Sequence, residues 1–123
     1  MTVYVFGNAS SPSDSIPLKL LPALQKQFPT INFVHVDPTE NWYKGEKQLV
    51  ILDTVVGIQK PTIFNSLDAF DKQADITPHD YDVYMDLKLL QKIEKIQKIT
   101  IIGIPHHSNR IQKDLIELLK NLN

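Results

Sequence analysis

Gln48-Leu49-Val50-Ile51-Leu52-Asp53 is an unbroken apolar run that opens on an amide and ends on a carboxylate. A strand with one wet face alternates apolar and polar residues. A strand covered on both faces does not, and a continuous Leu/Val/Ile run belongs at the centre of a parallel sheet. Ile99-Thr100-Ile101-Ile102-Gly103-Ile104 has the same character. Two such strands require helices on both sides of the sheet, which already selects an α/β architecture.

Upstream of this run, Thr2 to Gly7 is rich in β-branched and aromatic residues and reads as a first strand. A polar stretch, Asn8 to Ser15, leads to a helix with Pro17 in its first turn and Leu18, Leu21, Leu24 and Phe28 as its apolar stripe. Pro22 falls inside that helix, where it costs a hydrogen bond, and Pro29 closes it. A second strand is expected over Ile31 to Asp37. The connection Pro38 to Lys47 is short for a parallel crossover, so no more than one helical turn fits there. Trp42 and Tyr43 within it either form a docking surface or cover the sheet where a helix is missing, and the second account is favoured.

Downstream, Val55-Val56-Gly57 leads into a strand at Pro61 to Asn65, expected at an edge of the sheet. Ser66 to Thr77 reads as an irregular polar loop. Helical spacing resumes at Asp80, with Val83, Tyr84, Leu87, Leu90, Ile93 and Ile96 on one side. After the strand Ile99 to Ile104, Ser108 is placed to cap a last helix whose Ile111, Leu115, Leu118 and Leu119 face the sheet. The order β-α-β-β-β-α-β-α predicts one domain, residues 1–123: a three-layer α/β/α sandwich with a mostly parallel sheet.

Bulk properties narrow the function. The 123 residues are 42% apolar and 22% charged with a net charge of −1, a balance that attracts neither nucleic acid nor an anionic membrane. No apolar stretch approaches the roughly 20 residues that cross a bilayer. The N-terminus runs straight into a strand pattern without a basic and then apolar stretch, so a signal leader is not expected. Cysteine is absent, which removes disulfides, thiolate ligands and a cysteine nucleophile. A cytoplasmic monomer is the resulting expectation.

Asp14, Asp53 and His79 each fall where a strand hands over to a loop or helix. In open parallel sheets the loops at the carboxyl ends of the strands converge on one crevice. Two carboxylates brought together there would repel, and a divalent cation removes that repulsion. With a neutral imidazole the set suits zinc or nickel better than calcium and leaves an open position. The plainer alternative is that Asp14 caps a helix, Asp53 is solvated at a strand end and His79 sits beside a helix cap. His35 lies within a strand and reads as structural. Asp37 and His106-His107 follow strand ends at the same edge of the sheet.

The ordered motifs resemble the [NiFe]-hydrogenase maturation endopeptidases. Phe6-Gly7-Asn8 followed by Asp14 looks like their opening strand and acidic loop. Val36-Asp37 with Thr39-Glu40-Asn41 resembles their second strand and its loop, and Leu49 to Asp53 their third strand. Ile76-Thr77-Pro78-His79 resembles the segment that opens a helix with a histidine, and Ile99 to Ile104 their last strand. The chain departs from that pattern at Val5 and Ile16-Pro17, where the family carries glycines. Ser13 stands where many members have a second acidic residue, and the second crossover is shortened.

The resemblance implies a hydrogenase-maturation-protease-like fold, of the phosphorylase/hydrolase-like group. It also implies an endopeptidase that removes the C-terminal extension of a hydrogenase large-subunit precursor after nickel insertion. Asp14, Asp53 and His79 would be the catalytic and metal-binding triad, with Asn8, Asp37 and His106 as substrate contacts. Nickel would arrive with the precursor, and zinc or cadmium would substitute in vitro. Two alternatives share this fold: a non-catalytic binding module, and a peptidase for a related metalloprotein precursor. A receiver-like signalling domain phosphorylated on Asp53 is a further alternative. It would require an acidic pair where Gly7-Asn8 stand and a lysine where Pro105-His106 stand.

Overall fold

A computed structural model describes residues 1–7, 15–38, 40–73, 78–106 and 110–121, with the side chains of Gln73 and of residues 78–81 not described. The element order is β1 (Thr2–Phe6), α1 (Ile16–Gln27), β2 (Asn32–Val36), β3 (Gln48–Thr54), β4 (Thr62–Phe64), α2 (Leu67–Gln73), α3 (Pro78–Lys92), β5 (Lys98–Ile104) and α4 (Ile111–Lys120). The five strands form one sheet in the order β2-β1-β3-β5-β4. All pairs are parallel except β4 with β5, so the edge position expected for β4 holds. A receiver domain runs its strands 2-1-3-4-5; an antiparallel edge strand and the direct β3–β5 pairing exclude that alternative.

The continuous apolar runs do what their lack of alternation requires. Val3, Val5, Leu52, Ile102 and Ile104 point to one face, under Leu20 and Leu24 of α1 and Ile111, Leu115 and Leu119 of α4. Tyr4, Phe6, Leu49, Ile51, Ile99 and Ile101 point to the other, under Leu67 and Phe70 of α2 and Val83, Tyr84 and Leu87 of α3. The three layers of the sandwich are therefore as expected.

The connection from β2 to β3 must pass over β1, and among its described residues it contains no helix. A turn closes with Glu40 N–H donating to Asp37 O at 3.0 Å. Trp42 then lies on the sheet, its ring 5.1 Å from that of Tyr4 and 5.2 Å from that of Phe6. Tyr43 donates its hydroxyl to the carbonyls of Glu46 and Lys95, and the Tyr4 hydroxyl meets the Glu46 side chain. One indole and one phenol, Trp42 and Tyr43, thus cover the area of the sheet that a helix would otherwise shield.

Two expectations need correction. Part of the stretch expected to be an irregular loop forms α2, which Ser66 caps: the Ala69 N–H donates to Ser66 Oγ at 3.0 Å. Ile93 was expected on the buried side of α3 but is 53% exposed. The helix ends at Lys92, Glu94 takes a left-handed φ of 65°, and the reversal turns Ile93 to solvent while delivering Ile96 to the core. As expected, Pro22 falls inside α1, which continues to Gln27 with Pro22 exposed on its outer side. Ser108, expected to cap α4, lies outside the described residues. Among the described residues no helix is long and apolar enough to cross a membrane.

Candidate functional site

The order β2-β1-β3-β5 reverses direction between β1 and β3. α1 covers one face on the way from β1 to β2, and α3 covers the opposite face on the way from β3 to β5. Such a reversal opens a crevice at the carboxyl ends of the two strands, where α/β proteins bind ligands. The residues at that place are Phe6-Gly7 and Asp53-Thr54: Val5 pairs with Leu52, so the next pair along sets Phe6 beside Asp53.

Asp53 lies on the α3 side of the sheet and is only 7% exposed. A buried carboxylate is costly unless its oxygens receive donors. Both do. Oδ1 accepts the Thr54 backbone N–H at 2.8 Å, and Oδ2 accepts the Tyr84 hydroxyl at 3.0 Å. With one oxygen held from its own strand and the other from α3, the carboxylate cannot rotate freely.

The wall beside Asp53 depends on Gly103, its partner in β5. A Cβ on Gly103 would stand 2.8 Å from Val55 Cγ2 and 3.0 Å from Phe64 Cε2. Its absence lets Val55 fold against the strand, where its N–H donates to Ile104 O at 2.8 Å. Gly57, with φ of 93°, then turns the chain back. Residues Val55 to Gln59 and His106 line an open pocket of about 570 Å³ at this edge.

The other expected site residues fall out as follows. Of His79 the backbone is described, as the second residue of α3, which places it on the helix that carries Tyr84. Asp14 and Asn8 lie outside the described residues. His106 follows β5, next to β3, and reaches the pocket wall. Asp37 is exposed beyond the end of β2, two strands from Asp53, or about 10 Å at the usual strand spacing. His35 is structural, as expected: its Nε2 donates to the Gly7 carbonyl at 3.0 Å and anchors the chain where it leaves β1. Among the described residues no three metal-ligating side chains gather.

Tyr84 was read from the sequence as part of an apolar stripe and nothing more. The available signal was chemical: a tyrosine among aliphatic residues must find a partner for its hydroxyl when buried.

This is an open three-layer α/β/α sandwich with its crevice at the β1/β3 reversal, and solved hydrogenase maturation proteases share it. The [NiFe] hydrogenase maturation protease HybD from Thermococcus kodakarensis matches with a TM-score of 0.67 and 22% identity, over 99% of this chain and 99% of that one. The hydrogenase maturating endopeptidase HybD from E. coli matches with a TM-score of 0.62 and 17% identity, over 96% of this chain and 86% of that one. No family model matches the sequence, and neither does any curated protein. At such identities the likeness defines the fold, and it is the fold that the ordered motifs implied.

Proposed function

We propose that the chain is an endopeptidase of the hydrogenase maturation type, acting on a nickel-bearing large-subunit precursor. The observation that carries this reading is the placement of Asp53. It is a buried, doubly hydrogen-bonded carboxylate at the strand reversal of a fold shared, over nearly its whole length, with two such proteases. His79 opens the helix that packs against it, and Asp14 belongs to the segment that follows β1. A carboxylate–carboxylate–imidazole set is chemically suited to nickel.

In this reading nickel enters with the substrate. Asp14, Asp53 and His79 complete its coordination and so hold the scissile peptide at the crevice, which lowers the entropic part of the barrier. Thr54 N–H and the Tyr84 hydroxyl keep Asp53 aligned while the precursor docks. The pocket from Val55 to Gln59 borders the same edge and offers room for the peptide that flanks the cleaved bond. Water attacks the peptide carbonyl, and the C-terminal extension leaves as a peptide with a new amino terminus. The absence of cysteine keeps competing thiolates away from the precursor's nickel.

Mixing the protein with nickel-loaded and nickel-free precursor, with product masses measured, tests the reading. Cleavage of the loaded form alone, abolished in Asp53→Ala and His79→Ala, is the expected result. Tight precursor binding without cleavage would replace it with the non-catalytic module. Cleavage that survives both substitutions would remove the triad.

A further inference from the structure

We propose that Tyr84 is a positioning residue: its hydroxyl fixes the Asp53 carboxylate for metal contact and ties the helix that carries His79 to the end of β3. This deepens the function proposed above and rests on its reading of Asp53 as a ligand.

The argument starts from freedom of rotation. A carboxylate held at one oxygen can still swing the other. Asp53 is held at both, and the second hold comes from Tyr84 at 3.0 Å rather than from its own strand. Tyr84 is itself fixed. It is 3% exposed, and its ring lies 4.7 Å from that of Phe70 at an interplanar angle of 36°. Phe70 packs edge-on against Phe64 at 5.2 Å. Phe64 belongs to β4, paired with Ile101 of β5, and Phe70 belongs to α2, capped by Ser66. An ion pair between Asp71 and Lys88 joins α2 to α3 again. The Tyr84 hydroxyl is thus the tip of a packed chain running back into the sheet.

The second consequence is distance along the helix. Tyr84 follows His79 by five positions, about 7.5 Å of helical rise. Clamping Tyr84 to Asp53 therefore sets how the first turn of α3 sits relative to the strand end. Partners that orient a metal ligand in this way contribute to affinity without touching the metal, and their loss weakens binding by about 10–100-fold.

A merely structural tyrosine would lower stability and leave the affinity of the folded protein unchanged. The test is nickel(II) binding by calorimetry well below the unfolding temperature, on wild type, Tyr84→Phe, Phe70→Leu, Asp53→Ala and His79→Ala, with circular dichroism to confirm folding. Tyr84→Phe keeps the ring and removes only the hydroxyl. It is expected to bind nickel about 10–100-fold more weakly, with Phe70→Leu shifted the same way by a smaller factor. If Tyr84→Phe does not fold, Phe70→Leu decides by the same criterion. Affinity equal to wild type in the folded variants overturns the role of Tyr84, while loss of binding in Asp53→Ala and His79→Ala keeps the ligand reading. Wild-type affinity in Asp53→Ala overturns both.

Discussion

The two faces of the sheet are built differently. Under α1 and α4 the packing is aliphatic: Val3, Val5, Leu52, Ile102 and Ile104 meet Leu20, Leu24, Ile111, Leu115 and Leu119. Under Trp42, α2 and α3 the core is mixed. Here Tyr84 donates to Asp53 and the Tyr4 phenol lies beside the Glu46 carboxylate, so two phenols face carboxylates inside an otherwise apolar layer. Burying a carboxylate costs more than burying a leucine recovers, unless every oxygen is served. Both oxygens of Asp53 are served, whereas Glu46 keeps one buried oxygen, Oε2, with no hydrogen-bond partner. One face is built for stability, and the other gives up some of it to hold polar groups in fixed places.

That contrast breaks most visibly at Leu115. Fully buried on the aliphatic face, it should cost about 3 kcal/mol when cut to alanine. Urea unfolding would show the loss, and nickel affinity of the folded variant should stay at the wild-type value. A fall in affinity as large as that of Asp53→Ala would mean that the faces are not separable. On the mixed face Trp42 is only partly buried, so Trp42→Ala should cost less, about 2 kcal/mol, by uncovering Tyr4 and Phe6. If Trp42→Ala cost nothing, the indole would not be standing in for the missing helix.

The aliphatic face was legible in its strands and in α4, but on α1 the buried residues are Pro17, Leu20 and Leu24, with the expected Leu18, Leu21 and Phe28 only partly buried. Unbroken runs at 48–53 and 99–104 and the spacing of Ile111, Leu115 and Leu119 leave little choice of layer or direction. The mixed face was less so. α2 is seven residues long, and its signal is a single serine cap rather than a periodic stripe, so a polar composition hid it. Ile93 keeps the helical period in the sequence, yet the chain leaves the helix one residue earlier, and no pattern of apolar spacing encodes a left-handed turn at a glutamate. Asp53 could be placed at a strand end by reading its run. Its second partner could not, because a hydrogen bond across 31 positions is a fact of packing and not of spacing.

Alkali probes the phenol–carboxylate pairing directly. Burial, then the hydrogen bond to Glu46 and its negative charge, push the Tyr4 phenol up to about 12 from 10.0. The folded protein therefore holds this proton after the unfolded chain has released it. Its contribution is complete below pH 10 and is lost as pH rises from 10 toward 12. Thermal unfolding followed across that range should fall more steeply in wild type than in Tyr4→Phe. Parallel curves would show that Tyr4 carries no such linkage, and would leave the mixed face without its second pair.

The smallest effect concerns the end of α3, where the mixed face closes. Glu94 adopts φ of 65°, a region in which a side chain with Cβ is strained and glycine is not. Backbone bonds around it, Lys95 N–H and Ile96 N–H to Leu90 O at 2.9 and 3.3 Å, hold the reversal in place, so the conformation is imposed by the need to bring Ile96 into the core. Glu94→Gly should then raise stability by about 0.5–1 kcal/mol, the relieved strain exceeding the greater freedom glycine gives the unfolded chain. That corresponds to a rise of about 2–4 °C in the unfolding midpoint. Glu94→Ala, which keeps the Cβ but removes the charge, separates the causes. If alanine stabilised as much as glycine, the gain would come from the lost carboxylate, and the left-handed turn would not be the strained point of this face.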